Sequence, residues 1–306
     1  MTTAQAGGDV RARSPGADAP SATAELRLLS FRARVRAERP EIVARLAELY
    51  PPAPALDVAG GCEFVVVDRA GRHEIVVDGQ PAGSAASLAE AVARVEYLIN
   101  RAAAVALVDQ ILIHAGVVAA PVGGDAILLP GPSGRGKSTL VAGLCLSGFA
   151  YASDELAVVD PVTAAVRPFA KAICLKEGGW RAVVSSFAEA SPRLVAPGEG
   201  GMTRYLTPPR LCRADAPMRV RHVVLPRRCP GAAASLVPIH RSEAVAELAA
   251  HALNLPRHGY RGVETILQLA ADARCYALTY DELGAAIARL TDLTMRPDAR
   301  LTTRGR

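Results

Sequence analysis

Gly131-Pro-Ser-Gly-Arg-Gly136-Lys137-Ser138 fills every position of the pattern G-x-x-x-x-G-K-[S/T], and the organisation of the 306-residue chain is read outward from it. In such a loop the glycines let backbone N–H groups wrap the β- and γ-phosphates of a nucleotide, and the lysine follows the γ-phosphate as a compact charge. Lysine is scarce here: only Lys137, Lys171 and Lys176 stand among 35 Lys and Arg residues. A lysine kept where arginine is the habitual cation has a specific task, and a phosphate loop supplies one. Gly131, Ser133, Gly134, Arg135, Gly136, Lys137, Ser138 and Thr139 are the candidate nucleotide contacts, with Ser138 offering a hydroxyl to a metal.

Upstream, Ile111 to Ala119 reads as a buried strand, Ala120 to Asp125 as a Gly/Pro turn, and Ala126 to Pro130 as the strand feeding the loop. Pairing Ala119 with Ala126 sets His114 opposite Gly131. An antiparallel hairpin entering the loop departs from the doubly wound nucleotide-binding pattern, where a crossover helix reaches that strand. Downstream, Thr139 to Leu146 reads as a helix stopped by Gly148, so the phosphate also faces a helix N-terminus. A short strand, Phe149 to Ala152, follows. If it runs parallel, Ser153, Asp154 and Glu155 emerge beside the loop, where a metal ion must sit.

The N-terminal part reads as a strand from Glu25 to Val35, a helix from Glu41 to Leu49 behind Pro40, and a hairpin of Cys62 to Val67 with His73 to Val77. Ser87 with Glu90 caps a helix to about Leu107. Beyond the loop, Val166 to Leu175 is a strand region carrying Lys171, and Pro197 to Met202 is a Gly-rich loop. Strands near Val220 to Leu225, Leu236 to Ile239 and Tyr276 to Thr279 alternate with helices capped by Ser242, starting at Gly262, and capped by Asp281. The predicted organisation is a disordered leader (1–24), a small α+β module (25–108), an α/β domain with a mixed sheet (109–294) and a flexible basic tail (295–306).

Half the residues are apolar, enough to bury a large core. The formal charge of +5 comes from scattered arginines with few aromatics, which argues against nucleic acid. Asp109, Gln110, His114 and Asp125 interrupt the longest apolar region, so no membrane span is expected. Six cysteines without C-x-x-C spacing fit a reduced, cytoplasmic protein.

Three acidic sites compete for a metal. Asp160 follows a hydrophobic run most literally, but Asp160-Pro161 is a type I turn signature. Asp109 precedes a strand and reads as a solvated cap. Asp154 and Glu155 are therefore the preferred pair. His114 is either a satisfied core histidine or a group that orients a carboxylate or meets a phosphate. Lys171 reads as a surface cation; Lys176, beside two glycines, and Arg204, beyond the Gly-rich loop, are candidate substrate contacts.

Ile113-His114-Ala115-Gly116-Val117, the loop, and Gly148-Phe-Ala-Tyr-Ala-Ser-Asp154-Glu155 together resemble the kinase domain of HPr kinase/phosphorylase, with its His-Gly-Val strand, GxSGxGKS loop and Gly-x-x-Leu-x-Ala-Asp-Asp segment. More closely the chain resembles the HPr-kinase-related serine kinases, one branch of which phosphorylates lasso-peptide precursors. The likeness runs through Ala-Ile-Cys-Leu-Lys-Glu-Gly and Leu225-Pro-Arg-Arg, from about residue 25 to 293. It implies the P-loop kinase fold shared with phosphoenolpyruvate carboxykinase, with ATP and Mg2+ handled by Lys137 and Ser138. Metal binding and general-base duty would be shared by Asp154 and Glu155, with His114 supporting them. Glu155 replaces the family's second aspartate. The Arg-Gly-x-Gly-Ile-Ile signature of the dephosphorylating reaction is missing, and Leu175-Lys-Glu-Gly-Gly-Trp-Arg181 stands in its place.

The expectation is an ATP-dependent serine or threonine kinase acting on a protein or peptide, such as a ribosomal peptide precursor or carrier protein, with homo-oligomerisation left open. A nucleotide-gated binding protein without phosphotransfer and a small-molecule kinase are the alternatives.

Overall fold

Arg32, Arg34 and Arg36 alternate with buried Phe31, Ala33, Val35 and Ala37, and this period of two fixes the first sheet. The structure, a computed structural model, describes residues 22–52, 60–198, 201–213 and 215–295. Where one strand was expected from Glu25 to Val35 there are two, β1 (Ala22–Leu28) and β2 (Phe31–Ala37), folded as a hairpin about Leu29 at φ 54°. Helix α1 (Pro40–Leu49) opens on the expected proline and buries Ile42, Val43, Leu46 and Leu49. It precedes β3 (Gly60–Arg69), which pairs parallel with β2; β4 (Arg72–Val77) and β5 (Gln80–Ala85) complete an antiparallel meander. Helix α2 (Leu88–Ala106) crosses this sheet. Ser87 caps it by accepting from the Glu90 amide, while the Glu90 carboxylate takes the Ala86 amide. The expected leader lies mostly outside the described residues, though Ala22 to Ala24 belong to β1; the tail beyond Met295 lies outside them entirely.

The second sheet is organised around β6 (Ile111–Ala119), almost wholly buried. On one side it pairs antiparallel with β7 (Ala126–Pro130), from Ala119↔Ala126 to Ala115↔Pro130, the register expected from the sequence. Helix α3 (Lys137–Leu146) follows the loop and ends on Gly148, whose φ of 100° lets its own N–H and that of Phe149 return to Cys145 and Leu144.

The other side of β6 carries β8 (Ala150–Ser153) and β9 (Leu156–Val159), both antiparallel. Ser153 lies opposite Val117 and Leu156 opposite His114, so β8 and β9 act as one long strand broken at Asp154-Glu155. This corrects the parallel-strand expectation. The acidic step projects from a break in an antiparallel pairing, next to a register shift at Val117/Val118, and such irregularities re-aim side chains.

The expected strand from Val166 to Leu175 is also two pieces, β10 (Val166–Arg167) beside β9 and β11 (Ile173–Lys176) in a separate sheet. Helix α4 (Glu177–Ser186), not foreseen, follows directly. Next, β12 (Leu194–Gly198) and β13 (Gly201–Leu206) form a hairpin, giving the order β11-β13-β12. Strand β14 (Val220–Arg228) runs parallel to β7, and β15 (Ser235–Pro238) is an edge strand. Helix α5 (Arg241–Ala250) is capped by His240 rather than Ser242. Helix α6 (Leu255–Asp272) starts seven residues before Gly262 and breaks at Gly259. Strand β16 (Arg274–Tyr280) joins β14 in parallel, and α7 (Leu283–Met295) closes the fold. The Asp281 carboxylate, expected as the cap of α7, accepts from the Gly231 amide and Arg228 and ties a turn after β14, while α7 begins two residues later at Leu283.

The result is an α/β protein with mixed sheets and seven helices among the described residues. Alternate side chains feed different cores: Val118, Ile127 and Leu129 pack towards α3 and α7, while Val117, Ala126 and Leu128 pack towards α5 and α6. The N-terminal core continues into Phe169, Ala172, Ala196 and Tyr205, so the first sheet and the rest share buried surface. No helix among the described residues is long and apolar enough to cross a membrane.

Helix α3 sits close on β6 because Gly116 lacks a side chain; a Cβ there would lie 2.6 Å from the Val141 Cγ2. Gly116→Ala should destabilise the fold by about 1–3 kcal/mol through overpacking. In urea unfolding the midpoint should fall with little change in slope; an unchanged midpoint would show that α3 is free to shift.

Candidate functional site

Backbone conformation prepares the loop. Gly131, Gly134 and Gly136 adopt φ of 147°, 86° and 86°, and Gly136 is the left-handed N-cap of α3. Ser133, Gly134 and Arg135 are exposed while Lys137 is 5% exposed. The Lys137 ammonium donates to the carbonyls of Gly131 (2.7 Å) and Pro132 (2.9 Å) and lies 3.0 Å from His114 Nε2. Burial depresses its pKa to about 8, with Asp154 acting in the opposite sense.

His114 lies one residue beyond the last β6–β7 pair. Its Nδ1 is 3.1 Å from the Glu155 carbonyl, which can only accept. The proton therefore belongs on Nδ1, and Nε2 offers its lone pair to Lys137. These contacts assign the neutral tautomer, which the histidine's lowered pKa favours, through burial first and Lys137 second.

At the break between β8 and β9, the Ser153 hydroxyl accepts from the amides of Glu155 and Leu156 and fixes the turn. Asp154 is 4% exposed. Its Oδ1 accepts from the Tyr151 hydroxyl (2.8 Å) and Lys171 (3.4 Å), and its Oδ2 from the Cys174 amide (3.2 Å). Glu155 is more open, with 41% of its side chain exposed and Oε2 3.4 Å from Lys171.

Lys171 overturns its reading as a surface cation. Its side chain is 1% exposed and its ammonium faces Asp154, Glu155 and, at 3.6 Å, Glu96 of α2. Burial alone would lower its pKa, but Asp154, Cys174, Glu96 and Glu155 outweigh burial and hold it well above the ordinary lysine value. Glu96 was not anticipated at all. Its carboxyl is pushed up to about 7, mainly by burial and against the pull of Lys171.

A cleft of about 820 Å³ brings these groups together. The loop contributes Ser133 and Ser138, the strand break contributes Asp154 and Glu155, and His114 and Lys171 complete the floor. Arg94 and Tyr97 of α2, Lys176, and Pro197 and Gly198 of β12 form the outer walls. Arg204 is placed elsewhere: it pairs with Glu177 and lies 5.7 Å over the Trp180 ring. Thr139 packs under α4, where a Cβ on Gly179 would meet its hydroxyl at 2.5 Å. Asp160 is a turn residue, accepting from the amides of Val162 and Thr163, and Asp109 is exposed.

Ser138 and Glu155 present hard oxygen donors to the cleft, suited to a Mg2+ that keeps waters and phosphate oxygens as its other ligands. Asp154 fits a metal less well, because three protein donors already engage its two oxygens. No group of three or more His, Cys, Asp or Glu side chains among the described residues is arranged to hold a metal ion.

The buried ammonium of Lys137 has a signature. With a folded-state pKa of about 8 against an ordinary 10.5, the folded protein binds fewer protons than the unfolded chain between those values. Stability from this group therefore rises with pH across that window. Denaturant unfolding at pH 7.5 and 10 should show wild type gaining on Lys137→Met; a constant difference between the two proteins would contradict a desolvated ammonium.

No protein-family model matches this chain, and no curated protein sequence matches it. The likeness to HPr kinase accordingly rests on the motifs themselves.

Proposed function

We propose that the chain is an ATP-dependent P-loop kinase related to HPr kinase, transferring the γ-phosphoryl group to a serine or threonine hydroxyl of a peptide or protein. The observation that carries this reading is the convergence of Ser133 and Ser138 of the loop, neutral His114 and the Asp154-Glu155 step at one cleft, with Lys137 buried beside it on His114.

Loop amides and Lys137 would bind the nucleotide phosphates, with the ammonium released from the Gly131 and Pro132 carbonyls it now contacts. His114, proton on Nδ1, keeps Lys137 and the Glu155 backbone in register. Ser138 and Glu155 would hold Mg2+, which when bound neutralises charge on the phosphate oxygens. A carboxylate of the acidic step accepts the proton of the acceptor hydroxyl as its oxygen bonds to the γ-phosphorus. The bond from that phosphorus to the β–γ bridging oxygen breaks, and ADP leaves with the electron pair.

Peptide acceptors are favoured over small molecules by the walls of the cleft. Lys176, Pro197 and Gly198 line it beside Arg94 and Tyr97, so it extends well beyond the loop towards α2.

Incubation with radiolabelled ATP, Mg2+ and a panel of serine-containing peptides and carrier proteins should label a serine or threonine. Lys137→Ala should abolish labelling, and Asp154→Asn or Glu155→Gln should lower kcat by about 10²–10⁴ where that carboxylate takes the proton. Tight ATP binding without labelling of any acceptor would instead indicate a nucleotide-gated binding protein. Label confined to a small hydroxyl compound would indicate a small-molecule kinase.

A further inference from the structure

Glu96 is out of place by the rules that build α2. The buried face of that helix comprises Ala91, Val92, Val95, Ile99 and Ala103, and a carboxyl group set among them is costly unless something compensates. Compensation comes from both of the units that meet at this point. Within the N-terminal unit, Asn100 Nδ2 donates to Glu96 Oε1 at 2.6 Å, and the Asn100 carbonyl oxygen accepts from the Tyr50 hydroxyl at 3.0 Å. From the other unit Lys171 approaches at 3.6 Å, and the Cys174 thiol at 3.9 Å. The segment bearing Lys171 is stitched to the end of α1, where the Ala172 amide donates to the Leu49 carbonyl at 2.6 Å.

Three carboxylates thus surround one ammonium, two of them belonging to the strand break at the cleft. Without Lys171, Asp154, Glu155 and Glu96 would repel one another at short range. Lys171 also meets the Ala172 carbonyl at 3.3 Å and the Cys174 thiol at 3.6 Å, and Glu96 is the partner that α2 contributes. The groups facing this cluster are Tyr50 at the C-cap of α1, Asn100 from α2, Tyr151 from β8, and Cys174 and Tyr205 from the small sheet.

We propose that Glu96 and Lys171 are positioning residues of the phosphotransfer site: Glu96, delivered by α2, fixes Lys171, and Lys171 holds Asp154 and Glu155 facing the loop. The N-terminal unit is then part of the working site rather than a separate recognition module. This rests on the phosphotransfer reading above, and the experiment separates the two.

Glu96→Gln, Lys171→Met and the double variant, each confirmed folded by its thermal melt, are compared with wild type for kcat, KM for ATP, and hydrogen exchange at the Cys174 amide, which Asp154 accepts from. Glu96→Gln should lower kcat about 10-fold and Lys171→Met about 100-fold, the range seen when outer-shell supports are lost, with KM for ATP nearly unchanged. Because Glu96 acts through Lys171, the double variant should be no worse than Lys171→Met alone. Exchange at Cys174 should quicken in every variant while exchange in the core of α3 does not. Unchanged kcat and unchanged Cys174 exchange in Glu96→Gln would overturn the proposal, as would losses that multiply in the double variant. If Lys171→Met fails to fold, Glu96→Gln decides by the same two readings. If wild type transfers phosphate to no acceptor, the kinase reading falls, and Cys174 exchange alone decides whether the pair positions Asp154.

Discussion

The site depends on the pairing of β6 with strands on both its edges. One edge fixes β7 and so the start of the Gly131–Ser138 loop; the other fixes β8 and β9 and so the break that projects Asp154 and Glu155. His114 comes from β6 itself, which gives it direct reach to both edges: Lys137 of the loop through Nε2 and the Glu155 carbonyl through Nδ1. A slip of β6 by one residue would exchange the side chains of its two cores and put a side chain where Gly116 lets α3 approach, so packing reinforces the register set by the turn. The relative position of loop and carboxylates is therefore set by backbone hydrogen bonds within a core, not by mobile side chains.

Legibility of the sequence followed the range of the interactions. The loop, the hairpin before it and the helix after it depend on neighbours a few residues away, and their glycines, prolines and alternating apolar residues carry the information locally. The register Ala119↔Ala126 is set by a short turn and could be counted. The break at Asp154-Glu155 was legible as an acidic step but not as a break, because its cause is pairing to β6, a strand distant in sequence. Val166 to Leu175 misled for the opposite reason: its apolar content reads as continuous, whereas Pro168 and the burial of Phe169 and Lys171 turn it between two sheets.

Lys171 was misread although its signal was present. The scarcity of lysine that singled out Lys137 applies equally to Lys171 and Lys176, and the structure brings Lys171 and Lys176 to the lining of the cleft beside which Lys137 is buried. What the local sequence lacks is the partner. Glu96 lies on a helix of the other unit, and only its intrusion into the buried face of α2 marked it. An acidic residue at an interior helical position is a question about what meets it in the fold, and a lysine within an apolar run is the reciprocal question.

The two buried lysines show how burial sorts identical side chains into different tasks. Lys137 has no carboxylate in hydrogen-bonding contact; its described partners are two carbonyls and a neutral imidazole, and its pKa falls to about 8. Such an ammonium keeps most of its capacity to attract an anion, since neutral dipoles stabilise it without cancelling its charge. Lys171 is in the reverse condition. Asp154, Glu155 and Glu96 more than balance its charge and hold it protonated, so an incoming phosphate would meet net negative potential there. The surroundings of the two are not interchangeable: a lysine already paired with carboxylates has little charge left to offer an anion, and without Lys171 the carboxylates of Asp154, Glu155 and Glu96 would face one another with no cation between them. The cleft thus presents an electropositive loop and an electronegative step a short distance apart. That polarity suits the proposed transfer, which would hold an anion at one point and take a proton at the next.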